Sequence, residues 1–177
     1  MQSNKTVIIF LVKFFGTYTM LFLIYSFYLS ETQTSSELYS CAPITKTVAN
    51  QSKMLLNAFG YSSEIEQSEN ELSILLTIND KGIARVIEGC NSISIIILFI
   101  AFIVSFAGKF KTTFLYIIFG SLLIYFINIL RISIIAIALY EYPQYEFIFH
   151  DIIFPAIIYG VTFLLWVLWV VKFSKLR

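Results

Sequence analysis

The stretch KFKTTFLYIIFGSLLIYFINILR, running from Lys109 to Arg131, decides the fold. Between Lys111 and Arg131 lie 19 residues without a charge. At a helical rise of ~1.5 Å per residue the two cations stand ~30 Å apart, the thickness of a bilayer's hydrocarbon core. The segment therefore reads as a membrane-spanning helix with a cation at each rim. The apolar run continues past Arg131 to about Leu139, so the arginine has apolar sequence on both sides.

Composition extends that reading to the whole chain. Of 177 residues, 58% are hydrophobic and 13% charged, with a mean hydropathy of +0.82. Soluble domains are roughly half apolar and about a quarter charged. Besides Thr112–Leu139, the segments Thr6–Leu29, Asn91–Ala107 and Ile152–Val171 are apolar enough to span, Asn91–Ala107 being the shortest. The expectation is an all-α polytopic membrane protein, a bundle of four transmembrane helices with a small α/β extracytoplasmic loop region. The first segment is too long for a signal-peptide core, and no A-x-A site precedes Glu31, so it is expected to remain as an anchor with Lys13 snorkelling. A net charge of +1 without a basic run argues against a nucleic-acid partner and leaves the lipid bilayer as the expected one.

Charge orients the chain. Lys5, Lys109, Lys111, Lys172, Lys175 and Arg177 fall in stretches without acids, while all 11 acids lie in 31–88 and 141–151. By the positive-inside rule both termini and the Lys109–Lys111 loop are cytoplasmic. Cys90, Arg131 and His150 then meet at the opposite, extracytoplasmic boundary, each delivered by a different segment. The expected division is an anchor over 1–29, a cap over 30–88 and a three-helix core over 89–177. Within the cap, Pro43 opens a helix with Ile44, Val48, Leu55 and Phe59 on one face and Gly60 at its end. Strands follow at 64–67, 71–78 and 83–87, separated by turns at 68–70 and 79–82.

A thiol, a guanidinium and an imidazole are the groups needed for thiol-based acyl transfer. Cys90 at the start of a helix has its thiolate favoured by the amide dipoles, and Glu88 nearby opposes this. Arg131 offers fixed charge and several donors for an oxyanion or carbonyl, with Asn128 one helical turn before it. His150, the single histidine, is the natural base for the thiol and acid for a leaving amine. Each has a plainer reading: a Cys41–Cys90 disulfide, an interfacial arginine anchor, an interfacial histidine. One His and two Cys are too few for a zinc site, so no metal and no cofactor is expected.

Glu88-Gly-Cys90-Asn-Ser-Ile, then Asn128-Ile-Leu-Arg131-Ile, then His150 before the last apolar segment, resemble the exosortase/archaeosortase family over about Ile83 to Tyr159. The short chain and the Glu-Gly-Cys-Asn-Ser form are most similar to XrtF-type exosortases. The resemblance implies a bacterial inner-membrane cysteine transpeptidase or protease with Cys90, Arg131 and His150 as its catalytic set and Asn128 in support. It also implies membrane-anchored substrates carrying a C-terminal sorting signal, made of a short motif, a transmembrane helix and a basic tail. Asn91 and Ser92 stand where many members have a small residue and Gly, and are supporting or substrate-binding candidates. Two other readings stay open: a non-catalytic assembly or transport subunit with a structural Cys41–Cys90 bridge, and a quinone-linked thiol oxidoreductase cycling both cysteines.

Overall fold

The computed structural model describes residues 2–34, 39–106 and 108–174, the side chains of residues 2–4, His150, Asp151 and Phe154 excepted. Helix α1 (Gln2–Thr32) precedes a cap made of α2 (Pro43–Ala58) and the strands β1 (Ser63–Gln67), β2 (Ser73–Ile78) and β3 (Lys81–Ile87). A 3-10 turn (Glu88–Asn91) leads into α3 (Ile93–Ser105), then α4 (Phe110–Glu141). A 3-10 turn (Pro143–Tyr145) and a π-helical turn (Ile148–Ile153) connect α4 to α5 (Phe154–Lys172). Among the described residues three helices are long and apolar enough to cross a membrane: 5–32, 110–141 and 155–172. The apolar helix α3 is shorter, 13 residues, or ~20 Å at ~1.5 Å per residue.

The membrane bundle and the cap have separate cores. In the bundle, Phe99 and Ile103 of α3, Ile124 of α4, and Ile158 and Trp169 of α5 are buried together. Gly120 makes this packing possible. A Cβ there would stand 2.3 Å from Cζ of Phe99, so hydrogen at this position lets the ring lie against the α4 backbone. α1 joins along α3, with Phe10 against the rings of Phe102 and Phe106. Most of its remaining surface is apolar and exposed, as a lipid-facing helix requires.

In the cap, β2 is the central strand and sends Ile74, Leu76 and Ile78 into a core with Val48, Ala49 and Leu56 of α2. Ile132 and Ala136 of α4 complete it. The apolar sequence beyond Arg131 is therefore the docking face for the cap. The helix α4 has 32 residues, ~48 Å at ~1.5 Å per residue, and overhangs a ~30 Å hydrocarbon core by several turns. Polar contacts also tie α4 to the cap: Tyr125 Oη donates to Gln51 Oε1 at 2.6 Å, Ser133 Oγ to the Ser52 carbonyl at 3.3 Å, and Asn79 Nδ2 to Tyr140 Oη at 3.0 Å.

The buried face of α2 is Thr45, Val48, Ala49, Ser52 and Leu56, while Phe59 is exposed. The expected face of Ile44, Val48, Leu55 and Phe59 keeps Val48 and is otherwise rotated, because small residues let α2 approach α4 closely where large ones would hold it off. Pro43 does open the helix, and Gly60 follows it in the left-handed region at φ 91°. The β2–β3 hairpin turns on Asn79 and Asp80, both with positive φ, so Lys81 and Gly82 already belong to β3.

Gly120→Ala is expected to cost about 1–3 kcal/mol by forcing Phe99 out of its place. Thermal unfolding of the detergent-solubilised chain would detect a lowered midpoint, partly restored by pairing the change with Phe99→Leu.

Candidate active site

Cys90 sits in the 3-10 turn between β3 and α3, half-exposed. α3 starts only at Ile93, after Ser92 at φ 62°, so the thiol is carried on its own turn ahead of the helix. A buried polar cluster holds that turn. The Glu88 carboxylate accepts from the Ala42 amide at 2.8 Å and from the Thr45 hydroxyl. Asn91, buried, donates through Nδ2 to Tyr25 Oη at 2.7 Å and Thr45 Oγ1 at 3.1 Å, and its Oδ1 accepts from the Ile93 amide at 3.0 Å. One residue of α1, one of α2 and two of the turn are thereby locked together.

The cluster changes the expected role of Glu88. Its charge is directed at the first turn of α2, where amide groups and the helix dipole favour an anion. α2 begins Ala42-Pro43, with no side chain at the cap able to accept. That missing cap was the sequence signal that an acceptor had to come from elsewhere. Tyr25 and Thr45 gave no such signal.

On the other side of Cys90, Asn128 of α4 is fully buried and donates through Nδ2 to the Cys90 carbonyl at 2.6 Å. Arg131 Nη1 donates to Asn128 Oδ1 at 3.3 Å. Cys90 and Arg131 line one cavity of ≈ 530 Å³, walled by β3 and by Ile132, Ile135 and Leu139 of α4. Nε of Arg131 is buried and has no hydrogen-bond partner among the described residues. A guanidinium with an unused donor, lining the same cavity as a thiol, is able to bind a carbonyl or an oxyanion.

His150 belongs to the π-helical turn before α5, and its side chain lies outside the described residues. Glu146, four residues earlier, lines the cavity, so the segment leading to His150 borders the site. Ser92 Oγ donates to the Asn91 carbonyl at 2.6 Å, within the turn. Among the described residues no group of three His, Cys, Asp or Glu gathers as for a metal ion.

The two cysteines are both free and unequal in setting. Cys41 is buried in the cap core, its sulfur 3.7 Å from Nε2 of Gln67. Burial pushes the Cys41 thiol above the ordinary value, and Glu88 adds to this against Gln67 and Lys46.

The family model of the transmembrane exosortases matches residues 6–170. The chain belongs to that family. The match takes in α1 and the cap as well as the region around Cys90, Arg131 and His150. Neither a curated protein nor a solved structure matches the chain. Membership supports a membrane transpeptidase-type role, and the exosortase's long apolar helices are consistent with it.

At neutral pH the folded exosortase is expected to alkylate with iodoacetamide at Cys90 at least about tenfold faster than at Cys41. Mass analysis of Cys41→Ser and Cys90→Ser chains reads the two sites separately. Because the folded thiol of Cys41 holds its proton more tightly than an unfolded one, its contribution to stability is full below the ordinary thiol value and falls at more alkaline pH.

Proposed function

We propose that the chain is a membrane-embedded cysteine transpeptidase of XrtF type. It cleaves the C-terminal sorting signal of secreted, membrane-anchored proteins at the outer face of the inner membrane. The observation that carries this reading is the line from Arg131 through Asn128 to the Cys90 carbonyl along one cavity. In this reading the chain crosses four times with both termini cytoplasmic, α3 and its flanking turn forming the shortest span. Residues 30–88 form the cap and 89–177 the catalytic core.

The Cys90 sulfur attacks the scissile carbonyl while His150 takes the thiol proton. Arg131 faces the developing oxyanion and supplies the donors that its own helix leaves unused. Collapse of the tetrahedral intermediate breaks the C–N bond, and His150 returns the proton to the leaving amine. The thioester on Cys90 then passes to an acceptor nucleophile, or to water. Asn128 fixes both the turn and the guanidinium, and Asn91 and Ser92 shape the turn beneath the sulfur. A substrate held by its own transmembrane helix presents its peptide at this level of the bundle.

Both thiols are free although Cys90 packs against the core that holds Cys41, and this weighs against the bridge and redox alternatives. Processing of co-resident proteins with a C-terminal anchor tests the proposal. Cys90→Ala is expected to abolish it, Arg131→Lys to lower it about a hundredfold or more, and Cys41→Ser to leave it within about twofold. Equal loss at both cysteines would favour a bridge or redox role, and no loss at either would refute acyl transfer.

A further inference from the structure

The cavity beside Cys90 is lined by five consecutive residues of β3, Gly82 to Val86. Neighbouring side chains on a strand point to opposite faces. A cavity that meets five in a row therefore runs along the strand's edge, and it reaches Leu75 of β2 where Gly82 offers no side chain. β3 is the outer strand in the order β1-β2-β3, and its far edge has no backbone partner among the described residues. Facing that edge across the cavity are Arg131, Ile132, Ile135 and Leu139 of α4. The groove thus has a hydrogen-bonding wall and a mainly apolar wall, and it ends at the thiol, three residues past Ile87.

We propose that the open edge of β3 binds the substrate residues preceding the scissile bond as an added β-strand, running parallel to β3 toward Cys90. The proposal rests on the acyl-transfer reading of Cys90 and assigns that reaction its peptide-binding surface. The lined edge from Gly82 to Val86 is ~13 Å long at ~3.3 Å per residue, room for about four residues of extended chain. Direction follows from placement. Cys90 leads directly into the bundle helix α3, whereas Gly82 lies next to the hairpin tip at the far end of the cap. A substrate whose cleavage site is followed by its own membrane helix enters at Gly82 and reaches the bilayer just past Cys90.

The chemistry of the groove favours a peptide over its other occupants. Edge amides and carbonyls require polar partners, as does the unpaired Nε of Arg131, and an acyl chain supplies none. A second copy of the chain would bring a whole sheet to this edge, where α4 already stands opposite. Apolar side chains of alternate substrate residues meet Ile132 and Ile135, while Arg85 and Glu146 border the same cavity as charged selectors.

The test uses the purified full chain in lipid nanodiscs with acetyl-alanyl and acetyl-tetraalanyl chloromethyl ketones. The Cys90 thiolate displaces chloride to form a thioether, which intact mass and peptide mapping record. The tetraalanyl probe is expected to label Cys90 about tenfold or more faster than the monoalanyl one. Single N-methylation of the longer probe is expected to slow labelling about three- to tenfold at alternate residues only, since every second amide of an added strand faces β3. Ala84→Trp, which fills the groove, is expected to bring the ratio of the two probes' rates toward one.

A length advantage with no alternating N-methyl effect, or one abolished by added oleate, would mark an apolar lipid groove and overturn the proposal. Rates that vary with the protein concentration in mixed-copy discs would mark pairing between copies and overturn it equally. If the monoalanyl probe labels Cys90 no faster than it labels glutathione, the acyl-transfer reading itself fails. If that labelling is enhanced but length and N-methylation leave it unchanged, strand addition alone fails.

Discussion

A buried amide cannot be left without partners, and Asn128 meets that requirement by bonding the carbonyl of Cys90. That one hydrogen bond fixes the cysteine turn to the middle of α4. The same side chain accepts from Arg131 one turn further on, so a single residue sets the position of sulfur and guanidinium together. Removing it would leave two polar partners short. The cluster of Glu88, Asn91, Thr45 and Tyr25 holds the turn from its opposite side, joining it to the cap and to α1. The cavity is shaped between these two anchorages.

α4 makes the arrangement possible because it serves two solvents. Its first half packs Gly120 and Ile124 against α3 and α5 within the bundle. Its second half packs Ile132 and Ala136 against the cap, far enough along the helix to stand beyond a ~30 Å hydrocarbon layer. Asn128 and Arg131 lie where the first packing gives way to the second. A helix that crosses the membrane and continues as a core element of the cap leaves little freedom between the two, and a thiol at their junction inherits that rigidity.

Three of the four expected spans were legible as long apolar helices, because hydrocarbon imposes a length and excludes charge. Pro43, Gly60 and the Asn79-Asp80 turn marked the cap for similarly local reasons. The convergence of Cys90 and Arg131 followed from counting residues after Lys111, since a helix turns sequence distance into physical distance. Contacts set by tertiary packing were hidden. The sequence from Ile132 to Leu139 is equally apolar whether it faces lipid or a sheet, and nothing local distinguishes the two. The face of α2 was misplaced because Thr45, Ala49 and Ser52 carry no hydrophobic signal, yet their small size brings the helices together. The partners of Glu88 at the start of α2, Ala42 and Thr45, lie more than forty positions away and left no local trace, unlike Asn91 within its own turn.

In the proposed reaction Cys90 carries the acyl group of a substrate between cleavage and transfer. Acid-quenched chain isolated from cells that supply anchored substrates, digested and read by mass spectrometry, addresses this directly. The expected result is a hydroxylamine-labile acyl adduct on the peptide holding Cys90, lost in Arg131→Ala chain and never found on Cys41. An unmodified Cys90 in chain that is processing substrate, or an adduct on Cys41 instead, would contradict it.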